Sequence, residues 1–270
     1  MARIEPSDGI DRPLSAPAHI VMEGVGLSYF TLQQETEALR DVCFEIARGE
    51  FISIVGPSGC GKSTLLSLIS GMLTPTQGSV RIDGEEVSGT SSKVGYMLQH
   101  DHLFEWRDVL GNLTVGAEIR RMDRKKARAK AETLLERYGL GGFAGYLPSQ
   151  LSGGMKQRVA LIRTLVAEPD ILLLDEPFSA LDYQTRLTLQ EEVFRIIKDQ
   201  GTTAVLVTHD LSEAISMADR VMVMSSRPST IRSVHPITFE EGSHLSPWDR
   251  RQAGRYNGYF NAIWKELEQR

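Results

Sequence analysis

The sequence predicts an α/β fold with a helical subdomain inserted into it, and three observations carry that reading. Short apolar runs bounded by Gly and Asp alternate with stretches of helical periodicity. Strand signals vanish between about residues 103 and 165 and return at Ile171. Near the front, one apolar run passes into a glycine-rich turn and then into a helical pattern.

The elements follow in order. Residues 1 to about 18 are polar and carry Pro6, Pro13 and Pro17, the composition of a mobile tail. From Ile20 the pattern is strand-like. Phe51 to Val55 is a short apolar run ending at Gly56, the form of a buried strand feeding a turn. Ser63 to Met72 reads as a helix with Leu65, Leu66, Ile69 and Met72 on one side. Within the inserted region, Asp123 to Tyr138 is a helix stopped by Gly139. Strands return at Ile171 to Leu174, Thr203 to Val207 and Val221 to Met224. Between them Leu189, Val193, Ile196 and Ile197 recur at helical spacing.

Bulk properties narrow the function classes. At 270 residues, the chain fits one large domain or two small ones. With 41% hydrophobic and 24% charged residues it has the make-up of a soluble globular protein. A net charge of −5 gives no global basic field, which argues against a nucleic-acid partner. The two cysteines, Cys43 and Cys60, form no disulfide framework and fit a reducing cytoplasm. No apolar run approaches the roughly 20 residues that cross a bilayer, and the N-terminus lacks a signal-peptide core. Any membrane role is then peripheral, through partners that supply the spanning helices.

Gly56-Pro57-Ser58-Gly59-Cys60-Gly61-Lys62-Ser63, followed by Thr64, has the chemistry of a triphosphate site. Gly56, Gly59 and Gly61 let successive N–H groups turn inward as an anion nest, and the next helix adds its positive end. Lys62 can reach the β- and γ-phosphates, and the Ser63 hydroxyl can ligate Mg²⁺. Cys60 occupies a position of the loop that tolerates variation. Downstream, Ile171 to Leu174 runs into Asp175 and Glu176, two carboxylates at the carboxyl end of a strand. There Asp175 would hold Mg²⁺ through water, and Glu176 would polarise the attacking water as general base.

Leu151-Ser152-Gly153-Gly154-Met155-Lys156-Gln157-Arg158 resembles the signature of the ABC ATPase family. The resemblance covers about Val21 to Pro228 and implies a P-loop cassette. It would comprise a RecA-like core, an N-terminal antiparallel β-subdomain and an inserted α-helical subdomain at about 103–165. The cassette would span 19–230, leaving 231–270 as a short extension with an amphipathic helix. ATP and Mg²⁺ are the implied ligands. The family also implies that Ser152, Gly153 and Gly154 face the ATP bound by a second copy, in a head-to-tail dimer. Met155 stands where the family usually has Gln, while the serine and glycines that contact phosphate are intact. By the same resemblance Gln99 senses the metal and the attacking water, and His209 contacts the γ-phosphate. Ser179-Ala180-Leu181-Asp182 crosses the dimer interface. Tyr29 stacks on adenine, with the alternative that Tyr29 or Phe30 fills core.

The segment from Leu98 to Asn112, with its Trp106-Arg107 pair, is similar to the nitrate, sulfonate and taurine importer ATPases, and Ser225-Ser226-Arg227-Pro228 fits that group as well. That group implies transmembrane permease subunits as partners, a solute-binding protein acting indirectly, and a place on the cytoplasmic face of the membrane. The alternatives are an ATPase serving export or lipid movement, or a soluble ABC protein outside transport. The single phosphate loop and the compact spacing of Lys62 and Asp175 weigh against the last. Leu103, Phe104 and Trp106 would either receive a helix of the permease or pack inside the subdomain. His100-Asp101-His102 reads as an exposed loop rather than a metal site. The basic stretch from Arg120 to Lys126 reads as a solvated helix face. Tyr256, Phe260, Ile263, Trp264 and Leu267 share one helical face, whose simplest use is packing on the cassette itself.

Overall fold

The structure, a computed structural model, describes residues 18–30, 34–240, 242 and 245–268. Among these residues ten strands form two sheets. β1 (Ala18–Phe30) pairs antiparallel with β2 (Glu35–Ala47) on one side and with β4 (Gln77–Ile82) on the other, and β5 (Glu85–Glu86) completes this sheet. The second sheet has the order β10-β9-β3-β8-β7-β6. It contains β3 (Phe51–Val55), β6 (Val94–Met97), β7 (Ile171–Asp175), β8 (Thr203–Val207), β9 (Arg220–Met224) and β10 (Ile231–Pro236). Five of these strands run parallel, and β10 pairs antiparallel with β9 at the edge.

The parallel strands are apolar along their length because both faces are covered. Ile52, Ile54, Ile171, Leu173, Val205 and Val207 face the antiparallel sheet, with α1 (Lys62–Ile69) between the layers. Phe51, Val55, Leu172, Leu174, Ala204 and Leu206 face the opposite layer. That layer holds α2 (Val109–Ile119), α3 (Arg124–Arg137), α4 (Gly153–Val166), α5 (Tyr183–Gln200) and α6 (Leu211–Met217). The period of two thus splits each strand between two cores.

α2, α3 and the first part of α4 form the inserted helical region, with no strand among its described residues. Each of these helices opens on a side-chain cap: Asp108, Asp123 and Ser152 accept from backbone N–H groups of the first turn. Gly139, at φ +69, turns the chain out of α3 as expected. The segment after residue 230 starts as β10 inside the main sheet. It continues as α7 (Pro247–Gln252) and α8 (Tyr256–Glu268), which packs on the cassette through Tyr256 and Ile263. No helix among the described residues is long and apolar enough to cross a membrane.

Two expectations change, and a third is not reached by the described residues. The helix after the phosphate loop ends at Ile69, where Gly71 at φ +74 turns the chain, so Met72 is 55% exposed instead of buried. The basic stretch 120–126 is the junction of α2 and α3 rather than one helix face, and Arg120 donates to the Ala167 carbonyl. The proposed tail lies outside the described residues except for Ala18, which already belongs to β1.

Candidate active site

Three neighbouring strands of the parallel sheet deliver the key groups at their carboxyl ends, where α/β sheets place ligands. β3 runs into the loop 56–61, β7 ends at Asp175 and Glu176, and β8 leads to Thr208 and His209. Gln99 arrives just after β6. Tyr29, Ser58, Gly59, Gly61, Lys62, Ser63, Thr64, Gln99, Glu176, His209 and Arg227 line one open cleft of about 590 Å³.

The loop geometry requires glycine at two points: Gly59 has φ +72 and Gly61 has φ +113. A Cβ on Gly61 would also lie 3.0 Å from Leu39 Cδ2. Gly61 is the N-cap of α1 and offers no side chain to the first helical amides, so their positive end is left for an anion. Lys62 is 8% exposed, and its Nζ donates to the Gly56 and Pro57 carbonyls, each at 2.9 Å. Cys60 is buried against the strand side of the loop.

Glu176 sits at φ +49, an uncommon conformation for a residue with a Cβ, which turns its side chain off the strand line. Its amide donates to the Val207 carbonyl at 2.9 Å, tying the turn to β8. Gln99 Nε2 donates to Glu176 Oε2 at 3.3 Å, and His209 Nδ1 lies 3.4 Å from Oε1. Asp175 is 3% exposed beneath the cleft, near Ser63. Burial pushes its carboxyl above the ordinary value of 3.8, with the neighbouring Ser63 hydroxyl and Lys62 ammonium opposing that shift. Oxygens of Ser63 and Asp175 adjoin beside a phosphate loop. That hard, sparse donor set suits Mg²⁺, which keeps waters and phosphate oxygens among its ligands.

Not every expected residue enters the cleft. Ser152, Gly153 and Gly154 lie at the start of α4, where Ser152 accepts from Met155 N at 3.3 Å. Asp182 caps α5 and accepts from Thr185 N at 3.0 Å, which lowers its carboxyl from the ordinary value. Neither group lines the cleft of this chain. Tyr29 is half exposed and its hydroxyl bonds the Thr64 hydroxyl at 3.1 Å, while Phe30 is 70% exposed, so neither fills core.

The structure also gives residues roles that sequence reasoning did not assign. Gln157 on α4 donates to Glu176 O at 3.1 Å and accepts from Ala180 N at 3.0 Å, joining the signature helix to the turn carrying Glu176. Its place on the buried face of α4 was the available signal. Arg163, farther along α4, donates to the carbonyls of Asp101 and His102, at 2.7 and 2.8 Å. The predicted exposed loop after Gln99 is therefore held on the same helix. Buried Glu213 accepts from the Thr208 hydroxyl at 2.6 Å, fixing the residue before His209. Arg227, in the segment Ser225-Ser226-Arg227-Pro228, enters the cleft from the turn after β9, a placement that the segment's resemblance does not specify.

Beyond the cleft, fully buried Asn112 accepts from Phe104 N and donates to the carbonyls of Phe104, Arg107 and Asp108. This one amide shapes the 104–108 turn. Leu103 packs inward, whereas Trp106 remains 77% exposed with its ring 5.0 Å from that of Phe104.

Comparison with known proteins agrees with this arrangement. Residues 39–179 match the family model described as ABC transporter. The "Uncharacterized ABC transporter ATP-binding protein YtlC" of Bacillus subtilis (strain 168) is 46% identical over 89% of this chain and 92% of its own length. "Taurine import ATP-binding protein TauB" of Pelagibacter ubique (strain HTCC1062) is 40% identical over 82% of this chain and 83% of its own. Among solved structures, the "Dimeric structure of a post-hydrolysis state of the ATP-binding cassette MJ0796 bound to ADP and Pi" superposes with a TM-score of 0.74. It is 30% identical and covers 81% of this chain and 99% of that one.

Proposed function

Because this chain belongs to the ABC transporter family and is an ATPase, we propose that it energises an importer as a head-to-tail pair of cassettes. The observation that carries the chemistry is the convergence of Lys62, Ser63, Gln99, Glu176 and His209 on one cleft.

In this reading Tyr29 stacks on adenine. The amides of residues 58–64, the first turn of α1 and the Lys62 ammonium hold the phosphate chain. Gln99 orients a water, Glu176 takes its proton as the water attacks the γ-phosphorus, and the bond to the ADP oxygen breaks in line. His209 donates to the γ-phosphate, and its contact with Glu176 keeps both side chains over the reacting group. Ser63, Asp175 and Gln99 would hold Mg²⁺, which when bound neutralises charge on the β- and γ-oxygens.

The second copy supplies what the cleft lacks. Ser152, Gly153 and Gly154 present the amides of α4 outside this chain's own cleft, where they can meet the γ-phosphate of a partner. Asp182, exposed at the start of α5, would lie along the same interface. ATP then closes the pair and hydrolysis reopens it. The similar cassette solved as a dimer with ADP and Pi supports this assembly.

Import is supported by the taurine-import relative and by the Trp106 turn. The chain would sit on the cytoplasmic face, docked on permease subunits that work with a solute-binding protein. The solute would be a small molecule, such as the anions nitrate or a sulfonate, or taurine. The domain plan is a cassette over 19–230 with its helical subdomain at about 103–165, followed by the 231–270 extension.

Capture of the tagged chain from solubilised membranes is expected to bring down spanning subunits. Trp106→Ala should lose them while retaining ATP binding. Unchanged co-purification would remove Trp106 from the docking surface, and capture without any spanning subunit would contradict the importer reading. A ligand screen of the co-captured solute-binding component would then identify the solute.

A further inference from the structure

We propose that Arg227 is a second cationic ligand for the phosphate chain, beside Lys62. The proposal rests on the reading of this cleft as the nucleotide site. Arg227 lines the cleft together with Ser58, Gly59 and Lys62 but comes from the turn after β9, far in sequence from the phosphate loop, the Asp175-Glu176 pair and the 151–158 signature. Its Nε donates to the Gly59 carbonyl, and a Cβ on Gly59 would lie 3.2 Å from its Nη2. The guanidinium is therefore packed against the middle of the phosphate loop.

That single contact leaves most of the guanidinium unused, since arginine carries five N–H donors. Among the described residues no carboxylate pairs with it, whereas many other arginines of the chain sit beside acidic partners. Lys62, by comparison, already shares its ammonium between two loop carbonyls. A guanidinium without a carboxylate partner among the described residues, in a cleft it shares with Lys62 and the uncapped start of α1, fits a phosphate group, which it can meet with two parallel N–H bonds.

The turn that carries Arg227 is built to hold it in place. Ser229 Oγ donates to Ser225 O at 2.7 Å, and Thr230 N donates to Ser225 Oγ at 3.0 Å. The same turn is stitched to β2: Ser229 N donates to Ala38 O and Arg40 N to Ser229 O, each at 3.0 Å. Ala38 itself lines the cleft. A turn fixed on two sides presents a cation with little conformational freedom left to lose on binding.

The test measures binding of a fluorescent N-methylanthraniloyl ATP by the full chain, wild type and variants, with thermal melting without nucleotide as the folding control. Arg227→Gln keeps a side-chain N–H for the Gly59 carbonyl but removes the charge. It is expected to raise Kd roughly tenfold, equivalent to about 1.4 kcal/mol, with an unchanged melting temperature. Arg227→Lys, which restores the charge, is expected to recover most of that loss, and the gap should narrow as salt is raised. Wild-type affinity in Arg227→Gln would overturn the proposal. So would equal losses in both variants accompanied by lower melting temperatures, because the residue would then only shape the loop. Lys62→Ala separates the two levels of the argument: if it binds ATP as tightly as wild type, the nucleotide reading of the cleft fails first.

Discussion

Glu176→Gln isolates the proton-transfer step. The substitution keeps the volume of the side chain and leaves the φ +49 backbone unchanged, so stability should move little. Gln99 Nε2, at 3.3 Å from Oε2, can keep its contact with the remaining oxygen of the new amide. His209, at 3.4 Å from Oε1, loses a charged neighbour but not its place. What disappears is the group that accepts the water proton. General-base catalysis contributes about 10²–10⁴-fold, so the barrier should rise by about 3–5 kcal/mol. The assay is phosphate release at saturating ATP, paired with nucleotide binding and with gel filtration in ATP. Binding should persist, release should collapse, and a closed dimer should accumulate. Near-normal phosphate release by a variant that still binds ATP would refute the assignment of Glu176 as general base.

Two further outcomes follow from buried charge. Asp175 is pushed above 3.8 by burial, so between its unfolded and folded pKa values the folded chain binds more protons than the unfolded one. Its contribution to stability therefore falls as pH rises through that window and stays unfavourable above it. Asp175→Asn should raise the melting temperature of the nucleotide-free protein at pH 7, by about 2–4 °C per 1 kcal/mol relieved, while weakening Mg²⁺-dependent ATP binding. A lower melting temperature at pH 7 would contradict this. Arg250 is fully buried between Phe194 and Phe239, with its guanidinium carbon 4.9 and 5.7 Å from their ring centres, and donates to the Ser216 and Ala218 carbonyls. Arg250→Ala should destabilise the protein by about 3 kcal/mol. A change below about 0.5 kcal/mol in denaturant melts would show that α7 is not anchored there.

How much could be read from the sequence depended on whether the constraint was local. Phe51 to Val55 and Thr203 to Val207 form strands with those very ends, because both are short, mostly apolar runs, broken only by Ser53 and opened by Thr203, and each is closed by a turn or a polar residue. Lys62, Gln99, Glu176 and His209 converge because each follows a strand of one parallel sheet, so chain order alone brings them to one edge. Met72 was misplaced because a helical pattern can run past a glycine that ends the helix, here Gly71 at φ +74. Gln157, Arg227 and Asn112 lie in segments singled out from the sequence, but their partners were not legible, for another reason. Their roles lie in bonds to backbone atoms of distant or separately folded turns, and nothing in the residues beside them records which carbonyl they will meet. The exposed α4 start and Asp182 are legible as chemistry but not as a complete site, since their expected partner is a second copy.

That division of the site between two copies is the central claim, and complementation tests it most directly. Lys62→Ala removes the phosphate lysine, and Gly153→Asp puts a carboxylate where a partner's γ-phosphate should approach; each variant alone should be inactive. Mixed in Mg²⁺ and ATP, they should regain hydrolysis, because one composite site then pairs an intact phosphate loop with an intact signature. The mixture's rate should rise more steeply than linearly with protein concentration. A mixture as inactive as its components, with both variants folded and still able to dimerise, would contradict the account.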